Sequence, residues 1–199
     1  MARRSDHTRD ELTRLALDAA RKIVSEQGLK GLSTRGVAKL IGYSPGTLYQ
    51  LFADQDELVM RLNAETLDGL IAKCRSIDFK MEPADTLMAL ARFYIGDVRE
   101  KRRLWNAVFE HSLPEGRDTP VWLAERRQTL LGFAQQAIAP LFEPGEESAC
   151  RHQVQVLWAG LYGIASLATA GKLPGTESAE AMVQTLVRNT IASLVARKA

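Results

Sequence analysis

The feature that most limits the fold is a short segment, Ile41–Phe52, with the sequence IGYSPGTLYQLF. It places Gly42, Pro45 and Gly46 directly before an apolar run, and Ala38 lies four residues before Gly42. Two helices that cross at a short turn need a small side chain where they meet and a residue that tolerates positive φ in the turn. The spacing therefore predicts two helices joined by a tight turn, with Ala38 at the crossing and Gly42 in the turn.

The residues after Gly42 predict the start of the second of these helices. Ser44 is suited to the N-cap, and Pro45 fits the first helical position because no backbone N–H is needed there. Gly46 and Thr47 keep the helix start narrow, so that its free N–H groups can approach a phosphate or a groove closely. Residues 27–53 contain three basic side chains, Lys30, Arg35 and Lys39, and no acidic one, a local charge that suits DNA. A purely structural helix corner is the alternative, because the Ala-x-x-x-Gly spacing alone is common.

The rest of the chain is helical in pattern and lacks the alternation that marks strands. Asp54 and Glu57 have the spacing of a capping box ahead of an apolar periodic run. Segments rich in Pro, Gly and Glu separate the later helices. We predict an all-α fold of about nine helices: 6–27, two short helices beginning at Ser33 and Ser44, then 54–76, 83–99, 101–112, 118–139, 146–171 and 177–197. The boundary falls after residue 54, which gives a three-helix domain at 1–54 and a helical domain at 55–199.

Composition excludes several classes of protein. The chain of 199 residues is 46% apolar and 25% charged with a net charge of +2, values that are ordinary for a globular protein of one or two domains. Cys74 and Cys150 form no CxxC pattern, which argues against a disulfide scaffold or a zinc site and fits a reducing cytoplasm. The charged N-terminus has no apolar segment of a signal peptide, and the longest apolar run is shorter than the roughly 20 residues of a membrane span. We therefore expect a cytoplasmic location and no membrane partner.

No catalytic motif is visible. The three histidines are scattered, and the chain contains no H-E-x-x-H, Walker or G-x-S-x-G pattern. We therefore expect no enzyme, no cofactor and no metal. The basic run Arg99–Arg103 is interpreted as a solvated charge run, and His111 as a residue that caps a helix end.

Residues 28–60 resemble the N-terminal DNA-binding domain of TetR-family transcriptional regulators. The matching positions are Gly31, Ser33, Thr34, Val37, Ala38, Gly42, Tyr43, Ser44, Gly46, Leu48, Tyr49, Phe52 and Leu58. The region around LWAGLYGIASL is similar to a Trp-His-Gly type of C-terminal domain, with Tyr162 where histidine is usual.

The resemblance implies a homodimer that binds a palindromic double-stranded operator, represses transcription and is released by an inducer that the sequence does not identify. It also implies that Thr34 and Arg35 contact phosphate or a base edge, that Ser44–Thr47 begin the recognition helix, and that Tyr49 contacts a phosphate. The predicted DNA-binding residues are Thr34, Arg35, Lys39, Tyr43, Ser44, Pro45, Gly46, Thr47 and Tyr49.

Two positions depart from the family pattern. Leu51 stands where histidine is frequent, and Gln55 stands where lysine is frequent, beside two acids. Lys39 or the basic arm with Arg3 and Arg4 can compensate by contacting phosphates, although the arm can equally be a solvated tail. The alternatives are a helical dimer that binds small molecules with weakened DNA binding and, less favoured, an all-α enzyme.

Two further sets of residues are predicted in the C-terminal domain. The segment Val154–Ala168 is apolar nearly all round, and the last helix has an apolar stripe, which favours an interface between two chains. The predicted interface residues are Leu157, Leu161, Ile164, Leu167, Leu186, Ile191 and Leu194. Aromatic side chains can line an apolar ligand pocket, although most such residues are core. The predicted pocket residues are Phe93, Trp105, Phe109, Trp122, Trp158 and Tyr162.

Overall fold

The computed structural model describes residues 7–173, 175 and 177–197, and it is all-α. Arg3 and Arg4, for which an arm was predicted, lie outside the described residues. The helices are α1 Arg9–Gln27, α2 Thr34–Ile41, α3 Pro45–Leu51, α4 Gln55–Cys74, α5 Pro83–Glu100, α6 Arg102–Glu110, α7 Val121–Ile138, α8 Glu147–Ala170 and α9 Ala179–Ala196, with 3₁₀ turns at Leu29–Gly31 and Ala139–Leu141. The predicted all-α class is confirmed, and the nine helices of the described part start and end close to the predicted positions.

The chain divides into two compact units. Unit 1 holds the described residues up to Thr66 together with Arg103–Thr119, and unit 2 holds Leu67–Arg102 with the described residues from Pro120 onward. α4 therefore begins in unit 1 and ends in unit 2, and nearly all of α6 belongs to unit 1. The boundary predicted after residue 54 was drawn between a DNA-binding and a helical domain, not between compact units. It stays a prediction.

Local signals account for the helix ends in unit 1. The Thr8 hydroxyl accepts from the N–H of Glu11 at 3.3 Å and the Glu11 carboxylate accepts from the N–H of Thr8 at 2.7 Å, which forms a capping box for α1. At α4 the Asp54 carboxylate accepts from the N–H of Glu57 at 2.8 Å, as the sequence predicts. The reciprocal bond differs, because the Glu57 carboxylate accepts from the N–H of Ala53 at 2.8 Å rather than from that of Asp54.

The core of unit 1 joins α1, α2, α3 and the first half of α4 to α6. Val37 and Ala38 are fully buried in α2, Leu48 contributes from α3, and Leu104 and Ala107 contribute from α6. A residue pair from α4 and α6 adds a buried hydrogen bond. In it, the Nδ2 of Asn63 donates to the carbonyl oxygen of Ala107 at 3.3 Å.

Unit 2 is a helical bundle in which α5 packs against α7, α8 and α9, and α8 packs against α7 and α9. The carboxylate of Asp97 on α5 is fully buried and accepts from the Nζ of Lys73 at 2.7 Å and from the Nζ of Lys101 at 2.9 Å. The hydrogen bond to Asp97 is the main cause that raises the pKa of Lys73. The Lys73 pair holds the end of α4 to α5, and the Lys101 pair lies at the end of α5 itself.

The basic run Arg99–Arg103 is largely exposed, as the sequence suggested, and two of its arginines also donate to backbone carbonyl groups. In unit 2 the Nε of Arg102 donates to the carbonyl oxygen of Thr169 at 2.7 Å. In unit 1 the Nη1 of Arg103 donates to the carbonyl oxygen of Ser25 at 3.0 Å. The charge pattern did not reveal these two hydrogen bonds, because their acceptors lie far away in the sequence.

Replacing Gly42 with alanine is expected to destabilise the protein by about 1–2 kcal/mol, because only glycine adopts a left-handed conformation without cost. Gly42 has φ 77° and ψ 25°. Nothing lies within 4 Å of a Cβ built there, so the cost comes from the backbone alone. Gly132 is the matched control, since it lies inside α7 with open space around it. Gly132→Ala should stabilise by about 0.5–1 kcal/mol. Denaturant unfolding measures both variants, and a Gly42→Ala protein as stable as wild type contradicts the assignment.

Among the described residues, no helix combines the length and apolar character needed to cross a bilayer. The same residues contain no group of three or more His, Cys, Asp or Glu side chains that could hold a metal ion.

Candidate nucleic-acid interface

The turn between α2 and α3 has the geometry that its sequence predicts. The Ser33 hydroxyl caps α2 by accepting from the N–H of Gly36 at 3.0 Å. Gly42 lies in the left-handed region, and the next residue, Tyr43, donates its N–H to the carbonyl oxygen of Ala38 at 2.9 Å. Ala38 is fully buried. The two short helices therefore cross where a small side chain is present.

The start of α3 is capped and narrow. The Ser44 hydroxyl accepts from the N–H of Thr47 at 3.3 Å, and Pro45 occupies the first turn, where it forfeits no helical hydrogen bond. Gly46 is exposed, and a Cβ at this position would meet only the Ser44 Oγ, at 3.6 Å. On the opposite face Leu48 is buried and Leu51 packs against the same core. The exposed side of α3 thus carries small residues with free space in front of them.

The predicted DNA-binding residues lie on α2, on α3 and in the turn between them, and most of them are open to solvent. The exposed ones are Arg35, Lys39, Ser44, Pro45, Gly46 and Tyr49, while Tyr43 and Thr47 are half-buried and Thr34 is buried. The hydroxyl groups of Thr34 and Tyr49 lie 3.4 Å apart, and Tyr49 is 57% exposed. Thr34 is therefore placed to support Tyr49 from within, and Tyr49 is placed to contact a ligand.

A contact that sequence reasoning missed involves the N-terminus. The Nδ1 of His7 lies 2.8 Å from the hydroxyl oxygen of Tyr43, and the two rings meet edge to face. The residues are far apart in sequence, so no local pattern indicated the pair. The contact fixes the first described residue of the chain beside the turn that precedes α3.

The start of α4 carries the two acids that flank Gln55. Gln55, which replaces the lysine frequent in the resembled family, donates its Nε2 to the carbonyl oxygen of Leu32 at 3.1 Å. Gln55 thereby ties α4 to the segment just before α2. At position 55, therefore, a hydrogen bond to the backbone takes the place of the cationic side chain.

Residues 111–117, which we call the strap, contact those two acids within unit 1. The Nη1 of Arg117 lies 2.6 Å from the Asp54 carboxylate, and the Nε2 of His111 lies 3.0 Å from the Asp56 carboxylate. The Glu57 N–H first, and then Arg117, lower the pKa of Asp54. Arg117 therefore offsets acidic charge near the candidate interface. His111 lies at a helix end, as the sequence suggested, and also contacts Asp56.

A small cavity lies within unit 2 among α4, α5, α7 and α8. Its volume is about 50 Å³. Seven leucines, two alanines and one valine line it, together with Cys74, Tyr94 and Trp158. The rings of Tyr94 and Trp158 lie 5.6 Å apart between centroids. Burial raises the pKa of Tyr94 and raises that of Cys74 to about 11, so both side chains are neutral near pH 7.

The cavity lining differs from the aromatic set predicted for a pocket. Of the six predicted residues, Trp158 alone is among the residues that line this cavity. Trp105 is fully buried in unit 1, 5.6 Å from the ring of Phe109 between centroids. Phe93, Trp122 and Tyr162 are half-buried in unit 2. Aromatic content did not reveal that aliphatic side chains form most of the walls.

The residues predicted for an interface between chains separate into two groups. Leu157, Leu161 and Leu194 are buried within the protomer, so their side chains are not available to a second chain. Ile164, Leu186 and Ile191 are half-buried and Leu167 is exposed. A Cβ at Gly160 would lie 2.7 Å from a methyl carbon of Leu186, so that glycine serves the packing of α8 on α9, whereas Gly163 faces open space.

A capped helix-turn-helix with an exposed, acid-free second helix, joined to a helical bundle, defines a DNA-binding regulator of the helix-turn-helix class. The model for bacterial regulatory proteins of the tetR family matches residues 16–62. The model for the tetracyclin repressor-like C-terminal domain matches residues 87–190. The chain belongs to the TetR family of bacterial regulatory proteins.

Individual proteins of known sequence or structure are similar to the chain. The HTH-type transcriptional regulator UidR of Escherichia coli strain K12 is 25% identical over 139 residues, which are 66% of this chain and 67% of UidR. A protein of unknown function from Rhodococcus sp. RHA1 superimposes with a TM-score of 0.74 at 20% identity, over 98% of this chain and 100% of that one. Thermus thermophilus FadR, a TetR-family repressor in complex with lauroyl-CoA, gives a TM-score of 0.67 at 16% identity, over 92% of this chain and 93% of that one. At these identities the two structures show a shared fold.

Proposed function

We propose that this protein is a ligand-responsive repressor that binds a palindromic operator as a homodimer and is released by a small-molecule inducer. The observation that carries the proposal is the exposed start of α3, where Ser44–Thr47 present a capped helix N-terminus with no bulky side chain in front of it. Such a helix start can enter the major groove and place N–H groups near phosphate. Arg35, Lys39 and Tyr49 surround it with groups that contact the backbone of DNA. The protein would act in the cytoplasm, where the operator is.

A homodimer is proposed because one recognition helix reads too few base pairs. Two such helices, about 34–36 Å apart, read successive major grooves on one face of the duplex. Support comes from apolar side chains that the protomer leaves open, since Val156 is 52% exposed, Leu167 is 42% exposed and Val195 is 52% exposed. Gly163 on α8 would allow a second helix to approach closely. Symmetry of the dimer would match symmetry of the operator.

Release by a ligand requires a physical connection between the cavity and the helix-turn-helix. α4 supplies one, because its first turn is held by the strap in unit 1 and its residues Leu70 and Cys74 line the cavity in unit 2. The strap lies on the chain between α5 and α7, which both contribute cavity walls. A ligand shifts this system only if it binds one arrangement better than the other. A molecule that leaves operator affinity unchanged at saturation is not the inducer.

The proposal is tested by selecting bound fragments from the source genome and titrating them by fluorescence anisotropy at several salt concentrations. We expect sequence-dependent binding with two protomers per palindromic site. The affinity should fall steeply as salt rises, because each phosphate contact releases counterions. Binding that does not depend on sequence or salt would favour the alternative. In that alternative the protein is a small-molecule-binding helical dimer whose affinity for DNA is weakened by Leu51 and Gln55.

Replacing Lys39 with glutamine is expected to lower the slope of log affinity against log salt by about one unit, because one phosphate contact is lost. The loss should be similar for all sequences, since a phosphate contact does not read bases. Lys80→Gln is the matched control, because Lys80 is an exposed lysine of unit 2. The slope of the control should equal that of wild type. An unchanged slope for Lys39→Gln removes Lys39 from the interface.

A further inference from the structure

The walls of the unit 2 cavity contain no ionised group. Among the side chains that line it, the polar atoms are the thiol of Cys74, the hydroxyl of Tyr94 and the indole nitrogen of Trp158, and the remaining side chains are aliphatic. A ligand inside would therefore exchange part of its water shell for a lining that is mostly hydrocarbon. Apolar ligands gain from this exchange, whereas a charged ligand loses hydration and meets no group of opposite charge in the lining.

The ionised group that acts on Cys74, Asp97, is already bound by two ammonium groups. Asp97, whose negative charge contributes to the raised pKa of the Cys74 thiol, is fully buried and accepts from the ammonium groups of Lys73 and Lys101 at 2.7 and 2.9 Å. Lys73 also pairs with Glu100 at 3.3 Å, so the two ammonium groups and the two carboxylates carry no net formal charge and offer an anionic ligand no net attraction. A cationic ligand would have to compete with two ammonium groups that Asp97 already binds. Both signs of charge are therefore disfavoured in the cavity.

We infer that the cavity selects an uncharged, predominantly apolar small molecule and excludes ions of either sign. The class of ligand rests on the cavity itself, and its effect on DNA rests on the proposed function. Ala91 on α5 and Ala134 on α7 are the smallest side chains in the lining, so larger residues there would occupy the ligand's space.

The size of the cavity adds a regulatory consequence. Its volume is about 50 Å³, whereas an apolar cavity of about 150 Å³ is known to bind benzene. A ligand of benzene size or larger can be enclosed only if the walls part, and these walls include Leu70 and Cys74 of α4. Such a ligand binds the expanded arrangement better than the resting one, which is the differential affinity that a switch requires. The same helix begins at the strap contacts in unit 1.

The test uses three probes of equal chain length: 1-octanol, octanoate and octylammonium, which are uncharged, anionic and cationic at neutral pH. Each is titrated into the full-length protein by isothermal titration calorimetry. We expect 1-octanol to bind about tenfold or more tightly than either ion, because an unpaired charge is disfavoured in an apolar cavity. An ion that binds as tightly as 1-octanol, or 1-octanol that does not bind, overturns the inference.

Variants locate the binding and separate it from the proposed function. Ala134→Phe should weaken 1-octanol binding about tenfold or more by filling the cavity, while Gln136→Phe, at an exposed position of the same helix, should leave it unchanged. If circular dichroism shows that Ala134→Phe is unfolded, Ala134→Leu replaces it. Unchanged 1-octanol binding to a folded Ala134 variant overturns the assignment to this cavity. If the wild type binds no DNA sequence selectively, the proposed function fails, while calorimetry still decides the class of ligand.

Discussion

A Gly46→Glu variant is expected to lose operator binding by about a hundredfold or more while it keeps its fold. Gly46 lies in the first turn of α3 and is exposed, and a Cβ added there would meet only the Ser44 Oγ, at 3.6 Å. A glutamate in a first turn interacts favourably with the helix dipole, so the free energy of unfolding should stay the same or rise slightly. Against DNA the same carboxylate faces phosphate, and like charges placed together at an interface are strongly unfavourable.

Two matched variants divide the effect into its causes. Gly46→Ala adds only a Cβ in ordinary contact with Ser44 and should retain most of the affinity. Gly46→Gln has nearly the shape of the glutamate variant without its charge, so the difference between the two measures electrostatic repulsion alone. Anisotropy against the selected operator gives the affinities, and denaturant unfolding checks stability. Wild-type affinity in Gly46→Glu would show that α3 does not enter the groove.

The parts of the structure that sequence could predict are those that depend on neighbours in the chain. Ser33 and Ser44 cap helices because a hydroxyl reaches an N–H three residues ahead, and Gly42 adopts positive φ because it has no Cβ. The apolar run after Gly46 likewise supplies Leu48, which is buried in α3. These causes act within one or two turns, so the spacing of residue types is enough to predict them.

The parts that sequence could not predict depend on contacts between distant residues. His111 and Arg117 reach acids at the start of α4, and His7 reaches Tyr43, across intervals in which no periodic pattern holds. The contacts of His111 and Arg117 became visible only when the fold assigned Arg103–Thr119 to the same unit as the start of α4. Charge patterns alone indicate that such residues can lie at the surface, and they do not reveal which distant residue each one contacts.

Apolar stripes raise a related difficulty for the predicted interface and pocket. A helix that is apolar all round must be covered on every side, but its sequence does not say which side its own unit covers. Leu157 and Leu161 of α8 face the protomer interior, and Leu167 does not. In the same way a leucine precedes both Trp105 and Trp158, yet Trp105 is core in unit 1 and Trp158 lines the cavity in unit 2. For α8, the packing of α5, α7 and α9 around it decides which side chains are covered.

A Leu48→Ala variant is expected to destabilise the protein by about 2–5 kcal/mol, the range for removing a fully buried leucine. α3 has seven residues, and isolated helices shorter than about 12–15 residues are marginal in water. Its position therefore depends on packing, and Leu48, which is 1% exposed, is its buried residue in the unit 1 core. Denaturant unfolding measures the loss as a lower midpoint. Leu40→Ala is the control, because Leu40 is 48% exposed and its removal should change stability by less than about 0.5 kcal/mol.

The variants at Gly46 and Leu48 separate reading of DNA from support of the reading helix, since the two residues lie on opposite faces of α3. The Gly46→Glu variant should lose affinity for the operator while its free energy of unfolding is not reduced. Leu48→Ala should lose stability first and, at a temperature where it remains folded, should lose less affinity than Gly46→Glu, because its exposed groups are unchanged. A Leu48→Ala protein with the unfolding midpoint of wild type would mean that α3 is held in place by its caps and turn, with the core contributing little.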